Sequence, residues 1–153
     1  MGRRTAILAA ALASSLTSIR GEAVIINEVH YHPPDHLNGM DNFEQEFIEL
    51  QVHHTQAVDL SDWRLKNTVD FLFPTGSVFE AGAYLLVVGF DPMNASLLAS
   101  FQSAFAVPPG TPILGPFSPK LPNSEGKVEL GRPGTPVESV TPPLLVDKVA
   151  YED

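Results

Sequence analysis

The sequence predicts an all-β domain of two facing sheets with one short helical insertion, and three observations carry that reading. Segments such as Glu46 to Val52 alternate apolar and polar residues with a period of two. Clusters of proline, glycine and asparagine separate these segments. Apolar residues recur every four positions in one place, after Asp91-Pro92.

The elements follow in order. Val24 to Tyr31 (VIINEVHY) is rich in β-branched residues and stops at Pro33-Pro34, which cannot continue a ladder. Asp35 to Gln45 is polar, carries Asn38-Gly39 and reads as a loop. In Glu46 to Val52 (EFIELQV), Ile48, Leu50 and Val52 face one way, and Phe47, Glu49 and Gln51 the other. Val58 to Lys66 continues the alternation, with Trp63 and Leu65 inward and Asp62, Arg64 and Lys66 toward water. Val69, Phe71 and Phe73 share a face of a short strand ended by Pro74.

Tyr84 to Val88 (YLLVV) is apolar on both faces, so it reads as a central strand covered on both sides. Asp91 and Pro92 are helix-start chemistry, and Met93, Leu97, Phe101 and Phe105 form the expected packing face. From Val107 to Pro122 the density of proline predicts a stiff, extended crossover. Val128 and Leu130 mark the next strand, and Leu145 to Tyr151 the last.

The ordered segments INEVHYHPP (Ile26 to Pro34), EFIEL (Glu46 to Leu50), VDLSDWRL (Val58 to Leu65) and FPTGSVFEAGAYLLVV (Phe73 to Val88) are similar to those of the lamin tail domain family in its secreted bacterial form. GPFSPKLPNSEGKVEL (Gly115 to Leu130) and DKVAYED (Asp147 to Asp153) continue the resemblance. It implies an immunoglobulin-like β-sandwich that serves as a building block rather than a catalyst. In nuclear lamins such a domain is a tail that docks partners. In bacteria it sits beside hydrolase, nuclease or adhesion-type domains on exported proteins. Two departures stand out: the family's last strand usually runs on into an aromatic, proline-rich stretch, and the helix after Pro92 is an insertion of variable length. The expected division is a signal peptide over 1–23 and a lamin-tail-like sandwich over 24–153, taken as the N-terminal part of a longer protein.

The leader reading rests on Arg3 and Arg4, the uncharged run Ala6 to Leu16 and the small-residue exit Gly21-Glu22-Ala23. As a helix that run reaches only about 16 Å, against a bilayer core of roughly 30 Å. Export to the outside or the cell envelope is expected, with a membrane-retained helix as the competing reading. The leader, and the lack of coiled-coil heptads ahead of the domain, argue against a nuclear lamin. The chain carries 18 acidic against 9 basic residues, a formal charge of −9 that repels phosphate backbones and anionic membranes. Nucleic acid is therefore not an expected partner; a protein or a cell-surface component is. With no cysteine there is neither disulfide nor thiolate chemistry, and the core alone must hold the domain together.

Candidate chemistry is confined to a few clusters. His30, His32, His36, His53 and His54 crowd into a short span, and imidazole is a common zinc and copper ligand. His30 and His32 would share a strand face, and pairing of the first two strands would bring His53 or His54 toward them. No HExxH spacing accompanies them, and solvated or backbone-bonded histidines are the competing reading. Asp35, Asn38 and Asp41 offer loop oxygens suited to calcium without an EF-hand pattern, and Glu44, Glu46 and Glu49 read as a solvated strand face.

Asn27 and Glu28 sit together in an apolar strand, so one of them is expected to face the core, with Arg64 as its partner. Asn27, Glu28, Glu49, Trp63 and Arg64 are expected to be structural. Asn94-Ala95-Ser96 matches a glycosylation acceptor. The chain has no GxSxG elbow, phosphate loop or paired nucleotide-binding glycines, so no enzyme is expected, and no cofactor beyond the calcium considered above. A glycosidase-type carboxylate pair is left open, because its separation of about 5 to 9 Å is a property of the fold. Three functions therefore stand: a non-catalytic interaction or scaffolding module, an accessory domain of a larger secreted hydrolase, nuclease or kinase-like enzyme, and a weak divalent-metal binder.

Overall fold

The computed structural model describes residues 23–135 and 142–152, so the leader expected over 1–23 lies outside the described residues except for Ala23. From the N-terminus the strands are β1 (Val24–His30), β2 (Phe47–Val52), β3 (Val58–Asp59), β4 (Arg64–Asn67), β5 (Phe71–Leu72) and β6 (Val78–Phe79). They continue with β7 (Tyr84–Val88), helix α1 (Ala95–Ala104), β8 (Ile113–Leu114), β9 (Glu125–Pro133) and β10 (Pro143–Glu152). One sheet has the order β1-β2-β7-β8 and the facing one β10-β9-β4-β5, while β3 and β6 form a small separate ribbon. The described residues form an immunoglobulin-like β-sandwich with one short α-helix.

Alternation explains the core. Ile26, Ile48, Leu50, Val52, Leu85 and Val87 point inward from the first sheet, and Leu65, Phe71, Val128, Leu130 and Val146 meet them from the second. Trp63, Phe73, Phe117 and Leu121 join the same cluster. Each fully buried side chain of this size contributes on the order of 1.5–3 kcal/mol. YLLVV is apolar on both faces because it serves two cores. Leu85 and Val87 face the sandwich, whereas Leu86 and Val88 join Phe47, Phe90 and Phe101 beneath α1.

Several elements differ from the expectation. Val58 to Lys66 is two strands, because Asp62 adopts a left-handed backbone (φ 63°) and turns the chain between β3 and β4. The in–out alternation of Trp63, Arg64 and Leu65 survives that turn. The helix begins three residues later than Pro92. Asn94 is its cap, accepting from the amides of Ser96 and Leu97, while Asp91 Oδ1 accepts from Met93 N–H in the turn ahead. Met93 therefore precedes the helix and is exposed, leaving Leu97, Phe101 and Phe105 to pack. The proline-rich crossover contains β8, which pairs in parallel with β7. Phe101→Ala should cost about 3 kcal/mol in a denaturant titration, with loss of helical signal ahead of the sandwich transition, since Phe101 is the buried anchor of α1.

The two sheets meet along a seam between β1 and β10. Both strands bulge there, β1 between Ile26 and Glu28 and β10 between Leu145 and Asp147. Ile26 N–H, on the outer edge of β1, donates to Asp147 Oδ2 at 2.7 Å. The side chain thus closes an edge that would otherwise offer unpaired amides. At the other end, Tyr31 stacks on Tyr151 with ring centroids 4.1 Å apart. Asp147→Ala should lower stability by about 1–3 kcal/mol and speed exchange of the Ile26 amide, while Asp147→Asn, which keeps an acceptor, should cost less.

Candidate functional site

Polar side chains at one end of the sandwich lock the loops to the strands. The 3₁₀ turn Phe43–Gln45 delivers Glu46 to the start of β2, where it is fully buried (0% exposed) and Oε2 accepts from Leu121 N–H at 2.7 Å. Asp41 forms an ion pair with Lys120 and accepts from Asn123 Nδ2 at 3.3 Å. Asn42 donates to the Pro34 carbonyl. The loop after β1 and the proline crossover are thereby tied together.

Glu46 Oε1, Asn123 Oδ1 and Tyr151 Oη are buried with no hydrogen-bond partner among the described residues. Burial pushes the Glu46 carboxyl up to about 7, despite the Leu121 amide, and with a further push from Asp41. Burial, with Glu46 and Tyr31 nearby, raises the Tyr151 hydroxyl to about 12. The Lys120 ammonium holds Asp41 below the usual carboxylate range. Glu46 can hold a proton near neutrality, but it is closed off from any substrate. Its assignment to a solvated strand face is corrected: it shares the inward parity of Ile48, Leu50 and Val52.

The histidines are dispersed. His30 ends β1 opposite Phe47, stacks on that ring at 5.0 Å and meets Phe105 edge-on at 5.3 Å. Burial lowers its pKa, with Glu28, 3.9 Å away, opposing the shift. His32 lies beyond the strand, so the two do not share a strand face. Strand pairing places Val24 opposite Val52, so His53 and His54 follow β2 at the end remote from His30, about 20 Å along the strand. His54 Nδ1 accepts from Gln56 N–H. Asp35 and His36 are exposed in the loop, where the His36 backbone closes a turn with Gly39 and Met40. Among the described residues no group of three or more His, Cys, Asp or Glu could hold a metal ion.

Asn27 and Glu28 are both exposed, because the bulge breaks the alternation that would have put one of them inside. Asn27 Nδ2 donates to Glu49 Oε1 at 2.6 Å. Arg64 does not partner them. It makes a two-pronged pair with Asp70, at 2.6 and 2.5 Å. Trp63 is a core residue, 8% exposed.

Two grooves lie on the outward faces of the sheets. On the first, the half not covered by α1 is a groove of about 770 Å³ lined by Tyr84, Leu86, Phe105 and Pro109, with Glu28 and Glu49 on its rim. On the second, a groove of about 730 Å³ lies over bare Gly131, between Arg64, Lys66 and Arg132. Leu72, in register with Arg64, stands exposed beside it. The sequence could place these residues on strands, but the sheet order that gathers them was not legible from alternation.

A family model described as Lamin Tail Domain matches residues 17–116, well over half of the chain and reaching from β1 into the crossover. No curated protein matches the chain.

Proposed function

Because the chain belongs to the lamin tail domain family, an immunoglobulin-like and non-catalytic domain type, we propose that it works as an interaction or scaffolding module of the secreted bacterial kind, outside the cell or on its envelope. The observation that supports this most is the use made of its charged groups. Asp41, Glu46, Asp147 and Arg64 each fasten a loop or a strand edge, and the two grooves described above lie on sheet faces. The basic start and apolar run of residues 1–23 support export. No helix among the described residues is long and apolar enough to cross a membrane. A protein or cell-surface partner suits such faces better than nucleic acid, given the charge of −9.

Two measurements test the reading. Intact mass of the exported chain should show an N-terminus near Ala23; material that stays inside the cell with Met1 in place contradicts export. The purified chain should leave ester, glycoside, phosphodiester and ATP substrates unchanged; turnover that follows the chain through purification contradicts a non-catalytic module.

A further inference from the structure

Positive charge is absent from one side of the sandwich. The Lys and Arg among the described residues are Arg64, Lys66, Lys120, Lys127, Arg132 and Lys148. None of them lies on β1, β2, β7, β8 or α1, or in the stretch 105–112 that joins α1 to β8. Register places Glu28, Glu49, Leu86 and Ile113 in one row across the outward face of that sheet. Ile113 and Leu86 join the cluster beneath α1, whereas the carboxylate end of the row is open, with the Glu28 side chain 53% exposed.

Two carboxylates directly opposite each other on neighbouring strands repel. Their neighbours offset little of this. Asn27 Nδ2 donates to Glu49 Oε1 at 2.6 Å, but an amide is neutral. His30 is 3.9 Å from Glu28, yet burial favours its uncharged form. Beside the pair lies the groove of about 770 Å³, lined by Leu86, Tyr84, Phe105 and Pro109, with Tyr84 45% exposed.

We infer that this groove binds an extended segment of another protein in which basic and apolar side chains alternate. The inference deepens the reading of the chain as a module that acts by binding, and rests on it. An arginine or lysine stem can lie along Leu86 while its charged head stays at the rim, where Glu28 and Glu49 stand. A guanidinium there makes charge-assisted hydrogen bonds, and the face of Tyr84 attracts the same cation. The apolar neighbours of that residue then cover Phe105 and Pro109, which a lone small cation would leave exposed. A second copy of this chain suits the groove poorly, because four of its six cations are already held: Arg64 by Asp70, Lys66 and Lys127 by Glu129, and Lys120 by Asp41.

Titration calorimetry of the purified full chain with a blocked hexapeptide of alternating arginine and valine tests this. Saturable one-to-one binding is expected, weakening as NaCl rises from 0.15 M to 0.5 M. E28Q/E49Q should weaken it about ten- to hundredfold, through loss of the charge-assisted bonds. Its thermal midpoint should equal or exceed that of the parent, since the repulsion is removed. D35N/E125Q changes the net charge equally at two exposed carboxylates outside the groove and should bind like the parent.

A parent chain that does not bind the peptide overturns the inference, as does an equal loss of binding in D35N/E125Q, which would make net charge the cause. Equally tight binding of arginine amide, or of a peptide with serine for valine, would show that the apolar wall is unused and also overturns it. An E28Q/E49Q midpoint far below the parent would assign the carboxylates to the fold instead. Self-association of the parent that E28Q/E49Q abolishes would put a second copy in the groove. None of these results touches the non-catalytic reading, which fails only on turnover.

Discussion

Raising the pH from 4.5 to 8 is expected to lower the stability of this chain, and Glu46→Gln is expected to remove most of that loss. In the unfolded chain Glu46 titrates near its ordinary 4.5, whereas burial in the fold raises it to about 7. A raised folded-state pKa favours the protonated form in the fold. The contribution is therefore fully present below pH 4.5, declines as the pH rises toward 7, and changes little above that. A separation of that size corresponds to about 3 kcal/mol. On the acid side the sign reverses, because Asp41 and Asp70 are held below their ordinary range by Lys120 and Arg64 and lose those pairings on protonation.

Chemical denaturation across pH should therefore show a maximum near pH 5. Gln keeps an acceptor for Leu121 N–H without an ionisable group, so the variant should match the parent at pH 4.5 and exceed it by about 2–3 kcal/mol at pH 8. Parallel pH curves for parent and variant would show that Glu46 ionises freely in the fold.

Phe73→Ala is expected to be the most damaging core substitution, at about 3–5 kcal/mol against a total of roughly 5–15 kcal/mol for a domain of this size. Phe73 is fully buried, meets Phe71 edge-on at 5.0 Å, and its backbone exchanges hydrogen bonds with Trp63 O and Asp62 N–H at the turn between β3 and β4. Truncation opens a cavity in the main core, beside Leu60, Trp63 and Phe71, which are already packed there. Phe73→Leu should recover more than half of the loss. Thermal melts of the three forms check the ranking, and an Ala variant within 1 kcal/mol of the parent would place the energetic centre elsewhere.

Much of this was legible along the chain. The parity of EFIELQV correctly divided Ile48, Leu50 and Val52 from Phe47 and Glu49, and YLLVV announced a strand covered on both sides. Glu46 shares the parity of those inward residues, yet a carboxylate beside two other acids reads as a solvated face until Leu121 is known to present its amide there. The bulge at Asn27 was invisible because it resets alternation without any special residue such as glycine. The two histidine groups drew together only on an assumed register; antiparallel pairing of β1 and β2 puts them at opposite strand ends. Lys66 and Lys127 are far apart in sequence and meet the same Glu129 because β9 pairs with β4. Local pattern carries parity, and long-range pairing decides which charges become neighbours.

The central claim is that the charged groups of this chain serve its fold and its surfaces rather than a reaction. It is tested most directly by assaying the purified chain against ester, glycoside, phosphodiester and ATP substrates. No turnover above the buffer rate is expected; turnover that follows the chain through purification would contradict it.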